Sequence, residues 1–152
     1  MKTRWGEKLD KANVLSEYPR PQLKRESYIN LNGVWQYAIT SANAVPEAMD
    51  GEIIVPFSPE CELSGVNRTV HPNESLWYTR HFDIPSGFNH GRILLHFGAV
   101  DQIATVYING CDTGSHVGGY TAFTIDITPY IRQENVITVK AVSYTHLTLP
   151  TN

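Results

Sequence analysis

An Asn109-Gly110 pair interrupts an otherwise continuous strand pattern in the run GAVDQIATVYINGCDTGSHVGGYTAFTIDI, which spans Gly98 to Ile127. Both residues tolerate positive φ, as the two central positions of a type I′ turn require, so the run predicts a β-hairpin with this pair at its tip. Before the turn, Ala104, Val106 and Ile108 fall on one side of a pleated strand and Ile103, Thr105 and Tyr107 on the other. Both sides are largely apolar, which predicts a strand with neighbours on each edge. After the turn come a short return strand and a Gly118-Gly119-Tyr120 corner. Phe123, Ile125 and Ile127 then alternate with Thr124 and Asp126, the pattern of a strand with one buried and one wet face. Thr128-Pro129 predicts a single helical turn, with threonine as the cap and proline in the first helical position.

The same period of two recurs elsewhere. Trp35, Tyr37 and Ile39 share one face of a strand over Val34–Ile39. Short strands are predicted over Glu52–Val55, Leu76–Ile84, Arg92–Phe97 and Val136–Val142. About eight antiparallel strands result, with turn signals between them and no helical period over ten or more residues. Two packed sheets, an all-β sandwich, are the architecture expected of such a chain. Residues 1–26 carry charge and proline without either period and predict an extended lead-in, followed by a sandwich domain over 27–142. Within it, PFSPECELSGVNRTVHPNES is a long loop broken by proline and glycine, the kind of segment in which sandwiches bind ligands.

Composition closes off several functions. At 152 residues the chain suits one domain with a full core, and 41% hydrophobic with 18% charged residues describe a globular protein. A net charge of −3, with only Lys24-Arg25 clustered, argues against nucleic acid or an acidic membrane as a partner. No stretch reaches the roughly 18 apolar residues of a membrane span, and MKTRWGEKLDKANV lacks the apolar core of a signal peptide, so a cytoplasmic location is expected. Cys61 and Cys111 lack metal-ligand spacing and are read as unpaired small hydrophobes. Neither a metal nor a cofactor is expected.

The blocks YPRPQLKRESYINLNGVWQYAI, EIIVPFSPECELSGV, ESLWYTRHFDIP, RILLHFGAVDQIATVYING and GSHVGGYTAFTIDITPYI, in that order, resemble the N-terminal sugar-binding domain of glycoside hydrolase family 2. That family contains β-galactosidases, β-glucuronidases and β-mannosidases. The resemblance implies a jelly-roll sandwich like the galactose-binding domains. It implies a β-glycoside as ligand of the full-length enzyme, and an immunoglobulin-like domain and a (β/α)₈ barrel as further domains of the same chain. It also implies that two glutamates on the barrel perform the chemistry. A barrel takes about 250 residues, more than this chain holds, so no catalytic residue is expected here.

The acidic residues support that expectation directly. A glycosidase needs two carboxyl groups about 5–5.5 Å apart, or about 6.5–9.5 Å apart, with one pKa raised. Asp101, Asp112 and Asp126 lie at a strand entrance, after a turn and on a wet face. Glu60 and Glu62 share the long loop, but nothing forces them into an apolar pocket.

Binding candidates come from loops. Asn67, Arg68 and His71 in GVNRTVHPN are the residues expected to contact substrate, because enzymes of this family can extend a loop of this domain toward the barrel. The carry-over is by region, since no motif fixes which residue reaches the sugar. His116 and Tyr120 flank a glycine corner; they suit sugar contact, and they equally suit closing an unusual turn by hydrogen bonds. Asp101 is expected to accept loop hydrogen bonds. Trp35 reads as core, and Trp77 as core or, on a face with Thr79 and His81, as an exposed stacking platform. Arg80 is read as a structural arginine. The ending SYTHLTLPTN resembles a translated sequencing adaptor, so residues 143–152 are expected to be non-native and the chain a truncated gene. The function expected is that of a non-catalytic sugar-binding domain of a family 2 glycosidase; the alternative is a free-standing carbohydrate-binding or lectin-like module.

Overall fold

The computed structural model describes residues 3–4, 6–18, 22, 24–88 and 91–143. Eight strands run through them: β1 (Gly33–Thr40), β2 (Gly51–Val55), β3 (Ser75–Asp83), β4 (Leu94–Phe97), β5 (Ile103–Ile108), β6 (Cys111–Val117), β7 (Phe123–Asp126) and β8 (Glu134–Val142). All pairs are antiparallel. They form a six-stranded sheet in the order β2-β1-β3-β8-β5-β6 and a two-stranded sheet of β4 with β7.

Register explains which residues form the core. Tyr37 lies opposite Tyr78, Tyr78 opposite Val139, and Val139 opposite Val106, so one row of side chains crosses four strands on the same face. Two residues along, Ile39, Leu76, Ala141 and Ala104 form the next row, all buried. This face meets Ile93, Leu95 and Ile127 from the side of the smaller sheet. Trp35 joins the cluster and donates its indole N–H to the Leu31 carbonyl at 2.7 Å. Burying each aliphatic side chain contributes roughly 1.5–3 kcal/mol. Two strands cannot cover six, and Leu31, Val66, Tyr130 and Ile131 from connecting segments pack against the rest of the cluster.

The hairpin forms as its turn chemistry dictates. Asn109 and Gly110 adopt φ of 52° and 81°, and β5 does have a partner on each edge, β6 and β8. A bulge shifts the β5–β6 register after Val106, where Thr113 is the extra residue and returns a hydrogen bond to the Val106 carbonyl.

The turn after β7 departs from expectation. A 3-10 turn spans Thr128–Tyr130, but Ile127 occupies the cap position and no side chain caps it. Thr128 instead stands inside the turn, where its hydroxyl donates to Asp126 and accepts the Ile93 amide at 2.8 Å. The competition between a cap and a strand-to-strand tie is won by the tie, because Ile93 would otherwise enter β4 with a buried amide unpaired. In the lead-in, a 3-10 turn covers Gly6–Lys8, and Val14 is buried. Of the ending, only Ser143 falls among the described residues.

Candidate functional site

Antiparallel pairing gathers one end of the large sheet into a single working edge. The C-terminal ends of β1, β6 and β8 and the N-terminal ends of β2, β3 and β5 all lie there. The long loop between β2 and β3 arrives at this edge through Glu74, and the glycine corner leaves from it after Val117.

The long loop is braced from within. Ser64, fully buried, donates its hydroxyl to the Cys61 carbonyl at 2.7 Å and accepts the Val66 amide at 3.1 Å. The Arg68 amide bonds the Pro59 carbonyl at 3.0 Å. Glu74 then fixes the distal part: one carboxylate oxygen takes Arg68 Nη2 at 2.6 Å and the other takes the His71 amide at 3.0 Å. Asn67 sits at φ 53°, a left-handed conformation that asparagine tolerates better than most residues. Asn67, Arg68 and His71 are all exposed. Glu74 thus draws two of the three candidates together, and it is a residue that sequence reading missed; its place three residues after His71, as an Asx-type brace would sit, is the only local signal.

At the corner, His116 and Tyr120 part company. His116 stacks on Phe123 with centroids 4.3 Å apart and is hydrogen-bonded through Nε2 to Thr121 Oγ1 at 3.0 Å. Phe123 stacks in turn on Phe97 at 4.6 Å, so three rings join β6 to the small sheet. Tyr120 is 96% exposed and takes no part. Closure by hydrogen bonds is therefore performed by His116 with Thr121. Gly118, at φ 138°, leaves no room for a side chain, since a Cβ would lie 2.8 Å from Thr121 Oγ1. The strand register sets the loop and the corner three strand positions apart, roughly 14 Å at about 4.8 Å per strand. They share an edge without converging on one point.

Other candidates resolve as packing. Trp77 is fully buried, stacked on Tyr107 at 6.2 Å, so it offers no exposed platform. Its indole N–H has no hydrogen-bond partner. Arg80 donates to the carbonyls of Leu31 and Asn32 at 2.8 and 2.7 Å, clamping the entry to β1. Asp101 accepts the Ser143 hydroxyl at 2.9 Å. Glu60 takes the Val70 amide at 3.4 Å, and its charge adds to the burial that pushes the Tyr78 phenol up. Asp126 is held down to about 2 by the Thr128 hydroxyl and amide, then by Arg92, whose guanidinium lies 2.7 Å away. Cys61 and Cys111 are both free thiols. Among the described residues, no group of three metal-ligating side chains converges, and no helix is long and apolar enough to cross a membrane.

A two-layer β-sandwich with a braced loop and a glycine corner on one edge defines a class of accessory carbohydrate domain. The family model "Glycosyl hydrolases family 2, sugar binding domain" matches residues 62–149, and the chain belongs to that family. A β-galactosidase of Thermoanaerobacter pseudethanolicus is 40% identical over 77 residues, covering 49% of this chain and 10% of the relative. A β-glucuronidase of Formosa agariphila is 38% identical over 68 residues, covering 43% and 7%. Among solved structures, the β-glucuronidase of Lactobacillus rhamnosus superposes with a TM-score of 0.62 at 28% identity, covering 74% of this chain and 20% of the other. That of Ruminococcus gnavus gives 0.60 at 27%, covering 74% and 21%. The chain thus spans about a tenth to a fifth of the length of these relatives.

Proposed function

We propose that this sugar-binding domain serves an enzyme that hydrolyses O-glycosyl bonds of β-glycosides, and that it shapes the sugar site without performing the chemistry. The observation that carries this reading is the bracing of the long loop by Glu74, which holds Asn67, Arg68 and His71 exposed on a fixed base at the working edge. A preorganised polar loop contributes to binding with little loss of freedom on contact. The carboxylates of this chain suit the division of labour: a general acid needs a raised pKa, whereas Asp126 is lowered, and Glu74 is tied to Arg68. An immunoglobulin-like domain and a barrel of the same enzyme are the partners in this reading, and the cytoplasm its location.

The test uses the whole enzyme. His71→Ala removes an exposed imidazole whose backbone alone braces the loop, and Asn67→Gly removes an amide while keeping the positive φ. Both are expected to raise KM for a nitrophenyl β-glycoside by about threefold to tenfold with kcat nearly unchanged, the mark of lost ground-state contact. Unchanged KM in both variants removes the loop from the sugar site. Hydrolysis by the purified 152-residue chain, abolished by altering its own carboxylates, overturns the non-catalytic assignment.

A further inference from the structure

The outer face of the large sheet carries a feature that the loop reading does not use. At the working edge, an open groove of about 360 Å³ is lined by Ser41, Asn43, Asn73, Ser75, Thr105 and Lys140, with Glu74 at its margin. Lys140 pairs directly with Trp77 on β3 and with Thr105 on β5, so all three share that face. Its Nζ lies 2.9 Å from Asn43 Oδ1 and 5.4 Å from the centre of the Trp77 ring. Both neighbours are uncharged.

The carboxylates near this edge are already engaged. Glu74 is neutralised by Arg68 at 2.6 Å, Asp50 accepts the Ile39 amide at 2.8 Å, and Asp101 accepts the Ser143 hydroxyl. The ammonium of Lys140 is therefore the uncompensated charge of a groove otherwise walled by hydroxyls and amides. One lysine, a compact point charge, matches a monoanion; recognition of a dianionic phosphate draws on several cations or an arginine fork. Hydroxyls and amides match a polyol, and the volume falls in the range of small-molecule sites.

We propose that this groove binds a monosaccharide bearing one carboxylate, a uronate, with Lys140 Nζ holding the carboxylate and the hydroxyl and amide side chains serving the ring hydroxyls. The site is separate from the Asn67–His71 loop, and it rests on the reading of this chain as a sugar-handling domain.

Calorimetric titration of the full 152-residue chain with D-glucuronate, D-glucose and acetate tests it. Saturable glucuronate binding is expected, about tenfold tighter than glucose and about tenfold tighter than in Lys140→Gln, which removes the charge but keeps an amide donor for Asn43. Perturbation of the Trp77 indole N–H resonance by glucuronate, read by NMR on the unaltered chain, supplies the same answer should the variant fail to fold. Equal affinity for glucose and glucuronate, affinity unchanged by Lys140→Gln, or no saturable binding of either sugar overturns the proposal. Acetate displacing glucuronate at equal concentration overturns it too, as an adventitious ion only. Each such failure leaves the loop reading standing, because that reading is measured by KM in the whole enzyme.

Discussion

Asn109 does more than turn the chain. Its side-chain amide donates to the Tyr130 carbonyl at 2.8 Å and to Asn135 Oδ1 at 3.0 Å, and its oxygen accepts the Val136 amide at 2.9 Å. Asn135, buried at 1% exposure, extends the network through the amide and carbonyl of Arg132. One residue thus fixes a hairpin tip, the turn after β7 and the start of β8. Asn109→Gly keeps the positive φ and loses three hydrogen bonds, and is expected to cost about 2–4 kcal/mol in urea unfolding. Asn109→Ala should cost about 1 kcal/mol more, because alanine adds backbone strain at φ 52°. The turn was legible in the sequence, since Asn-Gly between strand residues has one common use. The three-way tie was not, because its partners lie 21, 26 and 27 residues away and only the fold brings them together.

Among elements, the β4–β7 pair is the smallest and depends most on polar contacts. Arg92 reaches Asp126 across its end, and Thr128 joins Asp126 to the Ile93 amide. These contacts favour the ionised carboxylate, so its folded pKa of about 2 lies below the value of 3.8 expected of an unperturbed aspartate. The sign follows: the contribution is complete above about pH 4 and is lost as pH falls toward 2, when the folded state too takes up the proton. Urea midpoints measured from pH 5 down to about pH 2.5 should fall more steeply for the native chain than for Asp126→Asn. Strand positions were legible throughout, as the period of two marks them. The unequal division into six and two strands was not, since alternation reports a buried face and says nothing of which sheet a strand joins. The cap misassigned to Thr128 has a similar origin: a threonine before proline has two uses, and a distant amide chose between them.

For the whole molecule, the decisive relation is between sequence order and sheet order. The long loop and the glycine corner were recognisable as loops, but their shared edge follows from antiparallel register, and the groove beside Lys140 needs residues from five segments to exist. β8 is the last strand in the chain and lies between β3 and β5 in the sheet. Its Ile137, Val139 and Ala141 complete the buried rows that begin on β1. A chain stopped after Gln133 is expected to lack the near-ultraviolet circular dichroism and dispersed amide resonances of a packed core; a dispersed spectrum from that fragment would show that the two halves hold without β8. On the ribosome, β1 to β3 and the β5–β6 hairpin emerge as two pieces with bare facing edges, and neither can be sealed until the final strand clears the exit tunnel. A nascent chain built this way depends on shielding of those edges for most of its synthesis, and slow elongation between residues 117 and 134 would prolong its exposure to wrong partners.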